Sequence, residues 1–205
     1  MDTRIIVVSG LPRCGTSLMM QMLDRGGVPV ITDRIRAADT DNPRGYYEFE
    51  RVKKIKDDAS WLPDARGKAV KMVSQLLYEL PSSEKYLVIF MERDMDEMIR
   101  SQEKMLARLN RPSAPADQIR RAFTSHLERL RDWITRQPNI EVLDVSYNDL
   151  MKRPAEQAAR VAAFLGGEVD VEEMAGTVDS SLYRNRKGAE DRSAIEPAPG
   201  PTGVA

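Results

Sequence analysis

Directly after an apolar run, RIIVVS at residues 4–9, comes Gly10-Leu11-Pro12-Arg13-Cys14-Gly15-Thr16-Ser17, and a helical pattern starts at Thr16. Two glycines let the backbone curl tightly enough for its N–H groups to converge on one point, and the following helix adds the positive end of its dipole. Thr16 and Ser17 offer hydroxyl donors in the first turn, while Arg13 carries a permanent positive charge inside the loop. Such a group can hold a phosphate-like anion. The plainer alternative is a glycine-bearing strand-to-helix turn with no ligand. Cys14 is the single cysteine. It reads either as a thiol whose pKa is lowered by the helix N-terminus or, the commoner case, as a small replacement for Ser.

Such a loop needs a strand behind it and a helix ahead of it, and the flanking pattern supplies both. Residues 4–9 are short, apolar and rich in β-branched side chains, as in a buried parallel strand. Leu18, Met19, Met22 and Leu23 recur at helical spacing from Thr16 to Arg25, before Gly26-Gly27 stops the run. Val28–Ile31 reads as another strand or an extended connection. Residues 32–48 are polar and turn-rich, with Asn42-Pro43-Arg44-Gly45 as a surface loop. A helix is predicted from about Glu50 to Ser60 and a strand over Ala69–Val73. The clearest strand is Tyr86–Met91; Asp94 and Glu97 then form the pattern of a capping box for a helix reaching about Leu109. Asn110–Pro115 is a turn cluster. From Ala116 to Gln137, Ile119, Phe123, Leu127, Leu130 and Ile134 share one helical face. Ile140–Val145 reads as a strand, and Pro154–Leu165 as a helix opened by proline and closed by Gly166-Gly167. Strands alternating with helices imply an open, mostly parallel α/β sheet flanked by helices on both faces. One domain is expected over residues 1–188, with a Pro/Ala/Gly/Glu-rich mobile tail over 189–205.

Composition narrows the function. The chain has 205 residues, 41% of them hydrophobic, with 31 basic against 32 acidic side chains. That suits one packed core and argues against dedicated nucleic-acid binding. One Cys and one His make neither an internal disulfide nor a Cys/His zinc site. No apolar run approaches the roughly 18 to 20 residues of a membrane helix, and no signal-peptide core stands at the N-terminus, so a cytoplasmic protein is expected. The charged stretches Arg51–Asp58 and Arg120–Arg136 read as solvated helix faces.

The loop resembles a P-loop, G-x-x-x-x-G-K-[ST], with Thr16 where the lysine of nucleoside triphosphatases stands and the positive charge moved to Arg13. It resembles more closely the loop of sulfotransferases that use 3′-phosphoadenosine 5′-phosphosulfate (PAPS). Their P-[KR]-[SG]-G-[TS]-[TS] is matched by Pro12-Arg13-Cys14-Gly15-Thr16-Ser17 except at Cys14. The resemblance covers about residues 4 to 188 and implies a P-loop-like fold, PAPS as donor and no metal. Arg13 then stabilises charge on the bridging oxygen, and Gly15, Thr16 and Ser17 donate to the 5′-phosphosulfate. The family's 3′-phosphate site, an Arg after a central strand and a Ser eight residues later, maps onto Arg93 and Ser101. Ser146-Tyr147-Asn148-Asp149-Leu150 is similar to a family segment whose tyrosine lies near the adenine, which makes Tyr147 a candidate ring contact. Arg186-Lys187-Gly188 repeats a tripeptide that closes over the 3′-phosphate in cytosolic members, without its downstream glycine and tryptophan partners.

Transfer of a sulfuryl group to a hydroxyl needs a proton acceptor. Glu48, in a segment similar to the NP-[KR]-G-[YF]-[YFW]-E of bacterial sulfotransferase-like proteins, is the first choice of base. Tyr46, Tyr47 and Phe49 would shape an acceptor pocket around it. Pairing of Glu48 with Arg44 or Arg51 is the competing reading; Glu50 and His126 are the substitutes, and His126 adjoins an apolar helical stripe where a structural role is usual. Three functions stay open. The first is a sulfotransferase acting on a small-molecule, carbohydrate or lipid acceptor. The second is an ATP–Mg²⁺ kinase, for which Asp144 would have to serve as the acidic residue after a strand. The third is a non-catalytic nucleotide-binding protein of the same fold.

Overall fold

Ile5–Gly10 forms strand β1, all six residues buried, because β-branched Ile5 to Val8 fit a pleated strand covered on both faces. The computed structural model describes residues 3–33, 35, 45–167 and 169–179. Three further strands, β2 (Ala69–Lys71), β3 (Tyr86–Glu92) and β4 (Ile140–Ser146), join β1 in one parallel sheet of order β2-β1-β3-β4. The register sets Ile6 beside Ala69, Val7 beside Val88 and Val88 beside Val142.

Alternation along the strands divides the core in two. Ile6, Val8, Leu87, Ile89, Met91 and Val145 face one side, where α1 (Thr16–Arg25), α4 (Tyr147–Lys152), α5 (Pro154–Leu165) and α6 (Val171–Gly176) bury Met22, Leu150, Val161 and Met174. Ile5, Val7, Tyr86, Val88 and Phe90 face the other, against Leu130 of α3 (Ala116–Ile134) and the irregular segment carrying Val52, Trp61 and Leu77. The open parallel sheet with helices on both faces is as expected. α2 (Met95–Arg108) follows β3. Its N-terminus realises half of the expected box: Asp94 accepts from the backbone N–H groups of Asp96 and Glu97, at 3.0 and 3.1 Å. Glu97 does not reciprocate, because Asn148 Oδ1 takes the Asp94 N–H at 3.1 Å instead.

The remaining differences are local. Val28–Ile31 is an extended connection carrying one bridge, Val30 to Ala69. The predicted Glu50–Ser60 helix is a 3₁₀ helix over Glu50–Lys54, followed by turns. Further 3₁₀ helices at Leu62–Ala65 and Ser74–Glu79, and the six-residue helices α4 and α6, were not anticipated. Ser146 caps α4 and Asp170 caps α6, each accepting the N–H three residues on. Among the described residues no helix is long and apolar enough to cross a membrane. Arg44, Arg186, Lys187, Gly188 and the tail lie outside the described residues.

All four strands point the same way, so their carboxyl ends form one edge. The chain leaves β1 for β2 on one side and returns to β3 on the other, which makes the β1/β3 gap at that edge the topological switch point where ligands of open α/β sheets bind.

Candidate functional site

The loop between β1 and α1 sits at that switch point, and its shape depends on three positive-φ residues. Gly10, at φ 151°, has no room for a side chain: a Cβ there would come within 2.5 Å of both Cys14 Sγ and the Met91 carbonyl oxygen. Gly15, at φ 97°, ends the loop against the Tyr147 ring, 2.4 Å from where its Cβ would be. Arg13 adopts φ 67° without being glycine, a cost of the kind that functional sites carry. Cys14 is 1% exposed. Burial pushes its thiol up to about 12, outweighing the backbone N–H and the cations that would lower it. The reading of a lowered thiol pKa is therefore corrected. Cys14 fills space inside the loop as a small residue.

Arg13 and Arg93 meet, although they are 80 residues apart in the chain. The Nη1 group of Arg93, just beyond β3, donates to the Arg13 carbonyl at 3.1 Å. Its Nε donates to Glu97 Oε2 at 3.4 Å, and its guanidinium lies 4.5 Å over the Tyr147 ring. Arg13 in turn sends its Nε to Ser101 Oγ on α2, at 3.2 Å. The two cationic groups expected at separate ends of a ligand are thus contiguous, with Ser101 facing Arg13. Tyr147 is wedged between Gly15 and Arg93, and its ring is largely covered. Beside them a cavity of about 340 Å³ is lined by Leu11, Phe90, Met91, Met98, Ser146 and Asn148, among others. Polar and apolar groups line it in comparable measure, and Glu92, Arg93 and Asp94 at the tip of β3 are among them.

Sequence reading missed Lys71. As the last residue of β2 it stands level with Val8 of β1, and its ammonium reaches Ser17 Oγ at 3.3 Å. It also donates to the Tyr46 carbonyl, which Ser17 Oγ approaches at 3.3 Å. Glu48 Oε1 lies 4.0 Å from the same ammonium. Lys71 is central in the expected strand Ala69–Val73, and only the shorter strand and its register with β1 bring it to the loop. Of the aromatics expected around Glu48, Tyr46 is buried under Lys71, Tyr47 donates its hydroxyl to Asp24 at 2.9 Å, and Phe49 packs edge-on against Trp61 with ring centroids 5.3 Å apart. Arg51 engages Asp58 and Ser60 rather than Glu48.

The substitute bases stand elsewhere. Glu50 pairs with Lys53 at 2.6 Å on the surface. His126 is buried on α3, with Nε2 at 2.9 Å from Ser74 Oγ and its ring edge-on to Tyr78. Burial, then the nearby charge of Arg129, holds its pKa below the ordinary value. Asp144 is gripped by Arg131 through two bonds of 3.0 and 3.1 Å. Among the described residues no group of three or more His, Cys, Asp or Glu side chains is arranged to hold a metal ion.

Comparison with known proteins bears on the fold and the family. In fold, the chain is similar to a sulfotransferase domain of the Synechococcus PCC 7002 olefin synthase (15% identity, 88% of this chain and 86% of that one, TM-score 0.57). It is also similar to a sulfotransferase domain of the curacin biosynthetic pathway (12% identity, 94% of both chains, TM-score 0.54). A third likeness is to mouse sulfotransferase SULT7A1 complexed with PAP (16% identity, 91% of this chain and 69% of that one, TM-score 0.54). Identities this low establish the shared P-loop-like α/β fold. No curated protein matches the sequence significantly. The model of the sulfotransferase family, however, matches residues 39–171, well over half of the chain and including β2, β3 with Arg93, α2 and β4. A kinase is accordingly not favoured, and with the loop, the sheet order and the family match in agreement, this chain belongs to the sulfotransferase family.

Proposed function

We propose that the chain moves a sulfuryl group from PAPS to a hydroxyl or amine of an acceptor, releasing adenosine 3′,5′-bisphosphate. The observation that carries this reading is the joining of the β1–α1 loop to Arg93 and Ser101 at the strand tips, within a family defined by sulfuryl transfer. Backbone N–H groups from Gly15 to Ser17, with the Thr16 and Ser17 hydroxyls, hold the 5′-phosphosulfate. Arg93 and Ser101 take the 3′-phosphate, and Tyr147 is the ring contact for the adenine. Lys71, beside Ser17, faces the transferring group with its positive charge.

In the reaction the acceptor oxygen forms a bond to sulfur as the bond from sulfur to the bridging phosphate oxygen breaks. Glu48 takes the acceptor proton. Lys71 and Arg13 stabilise the negative charge that collects on the leaving oxygen; this is electrostatic stabilisation by prearranged groups. Acceptors are hydroxyl-bearing small molecules, carbohydrates or lipids. Arg186-Lys187-Gly188 is retained as a proposed contribution to the 3′-phosphate grip.

Thermal unfolding with adenosine 3′,5′-bisphosphate, and separately with ATP and Mg²⁺, tests the donor. The bisphosphate at 100 times its Kd is expected to stabilise by about 2.7 kcal/mol, a clear rise in melting temperature. A preference for ATP–Mg²⁺ overturns the reading. A bisphosphate response without turnover across a broad acceptor panel would instead identify a binding protein of the same fold.

A further inference from the structure

Glu97 lies where a phosphate site would not be expected to keep a carboxylate. Its side chain is 2% exposed and that of Arg93 8%, and they form a buried ion pair at 3.4 Å between the tip of β3 and the first turn of α2. Asn148 Nδ2 donates to the same carboxylate oxygen at 3.1 Å, while Asn148 Oδ1 accepts the Asp94 N–H at 3.1 Å. The carboxylate is thus held by α2, by the tip of β3 and by the start of α4, independently of the loop. Arg93 makes further contacts with the Arg13 carbonyl and the Tyr147 face, and it lines the cavity. An anion arriving at Arg93 meets a guanidinium already largely neutralised, with a fixed negative charge just behind it.

We propose that Glu97 is a positioning residue that acts through Arg93 to lower the affinity of this subsite for a phosphate, so that it sets how strongly the protein prefers a 3′-phosphorylated nucleotide over one bearing a 3′-hydroxyl. The proposal rests on the donor reading above and deepens it. The carboxylate occupies the Nε edge of Arg93 and takes part of its charge, and the share withheld from an incoming phosphate is worth about tenfold in affinity, the size of one charge-assisted hydrogen bond. The same ion pair keeps the Arg93 fork aimed at the Arg13 carbonyl. The 5′ end of the nucleotide, on the loop, is little affected.

The experiment measures Kd for adenosine 3′,5′-bisphosphate and for adenosine 5′-phosphate by calorimetry, on the wild type and on Glu97→Gln. The glutamine keeps the shape and removes the charge. The preference for the bisphosphate is expected to rise about tenfold, with the 5′-phosphate changed less than twofold. In an Arg93→Gln background, adding Glu97→Gln is expected to change the preference by less than twofold, as a double-mutant cycle through Arg93 requires. General loosening of the fold would weaken both nucleotides together. If Glu97→Gln does not fold, Glu97→Asp substitutes: its carboxylate is drawn back from the guanidinium, and the preference is expected to rise at least twofold. A preference unchanged or lowered in the folded variant overturns the role of Glu97 alone. A wild type that binds neither nucleotide overturns the donor reading and this assignment with it.

Discussion

Arg13 holds a backbone conformation that glycine normally supplies, and its two ends do different work: the carbonyl is held by Arg93 while the side chain reaches Ser101. Lys71 reaches the other side of the loop, at Ser17. If these cations act on the charge of the transition state, their loss must appear in turnover rather than in folding. Arg13→Ala and Lys71→Ala are each expected to lower kcat by about 10²- to 10³-fold. Arg93→Ala, by contrast, should mainly weaken nucleotide binding. Steady-state kinetics, with melting curves as a control, separate these outcomes; equal and mild effects from all three would remove the assigned roles. Cys14, sealed inside the loop, requires no reactivity of its own.

At the scale of elements, α3 is fastened to the 3₁₀ helix Ser74–Glu79 by the His126–Ser74 hydrogen bond and by Tyr78, whose ring also meets Trp133 at 5.0 Å between centroids. Because burial lowers the His126 pKa, the unfolded chain takes up a proton near its ordinary value of 6.5 while the folded chain does not. Stability from this group is therefore present above 6.5 and falls as the pH drops from there towards the lower folded value. Between pH 7.5 and 5.5 the wild type is expected to lose more melting temperature than His126→Gln, which has no proton to gain. An equal loss in both would free His126 of this effect.

The elements also explain what could be read from the sequence. β1 and β3 are unbroken apolar runs, and α3 has five apolar residues on one face, so their periods are unmistakable. α4 and α6 span six residues each, under two turns, and leave no period to detect. Lys71 belongs to a three-residue strand, and its part in the site depends on the register that sets it beside Val8, which local pattern does not encode. Glu97 fits the spacing of a cap and does something else, because Asn148, from another strand's end, took that position. The loop itself was legible because its chemistry is consecutive in sequence. The partners that surround it come from the ends of three other strands and from α2.

Across the whole molecule, Gly15 and Tyr147 tie the end of the loop after β1 to the helix after β4, reaching over β3 between them. Gly15→Ala combines an unfavourable φ of 97° with a Cβ 2.4 Å from the ring. The variant is expected to lose about 1–3 kcal/mol, read as a drop of roughly 2–4 °C in Tm per kcal/mol. Adding Tyr147→Ala should return the steric share of that loss but not the share due to backbone conformation. The same fit constrains descent. A lineage could gain a side chain at position 15 only after the ring at 147 had shrunk, so among homologues bulk at these two places should be mutually exclusive, and each change should mark the order in which the pair was rewritten.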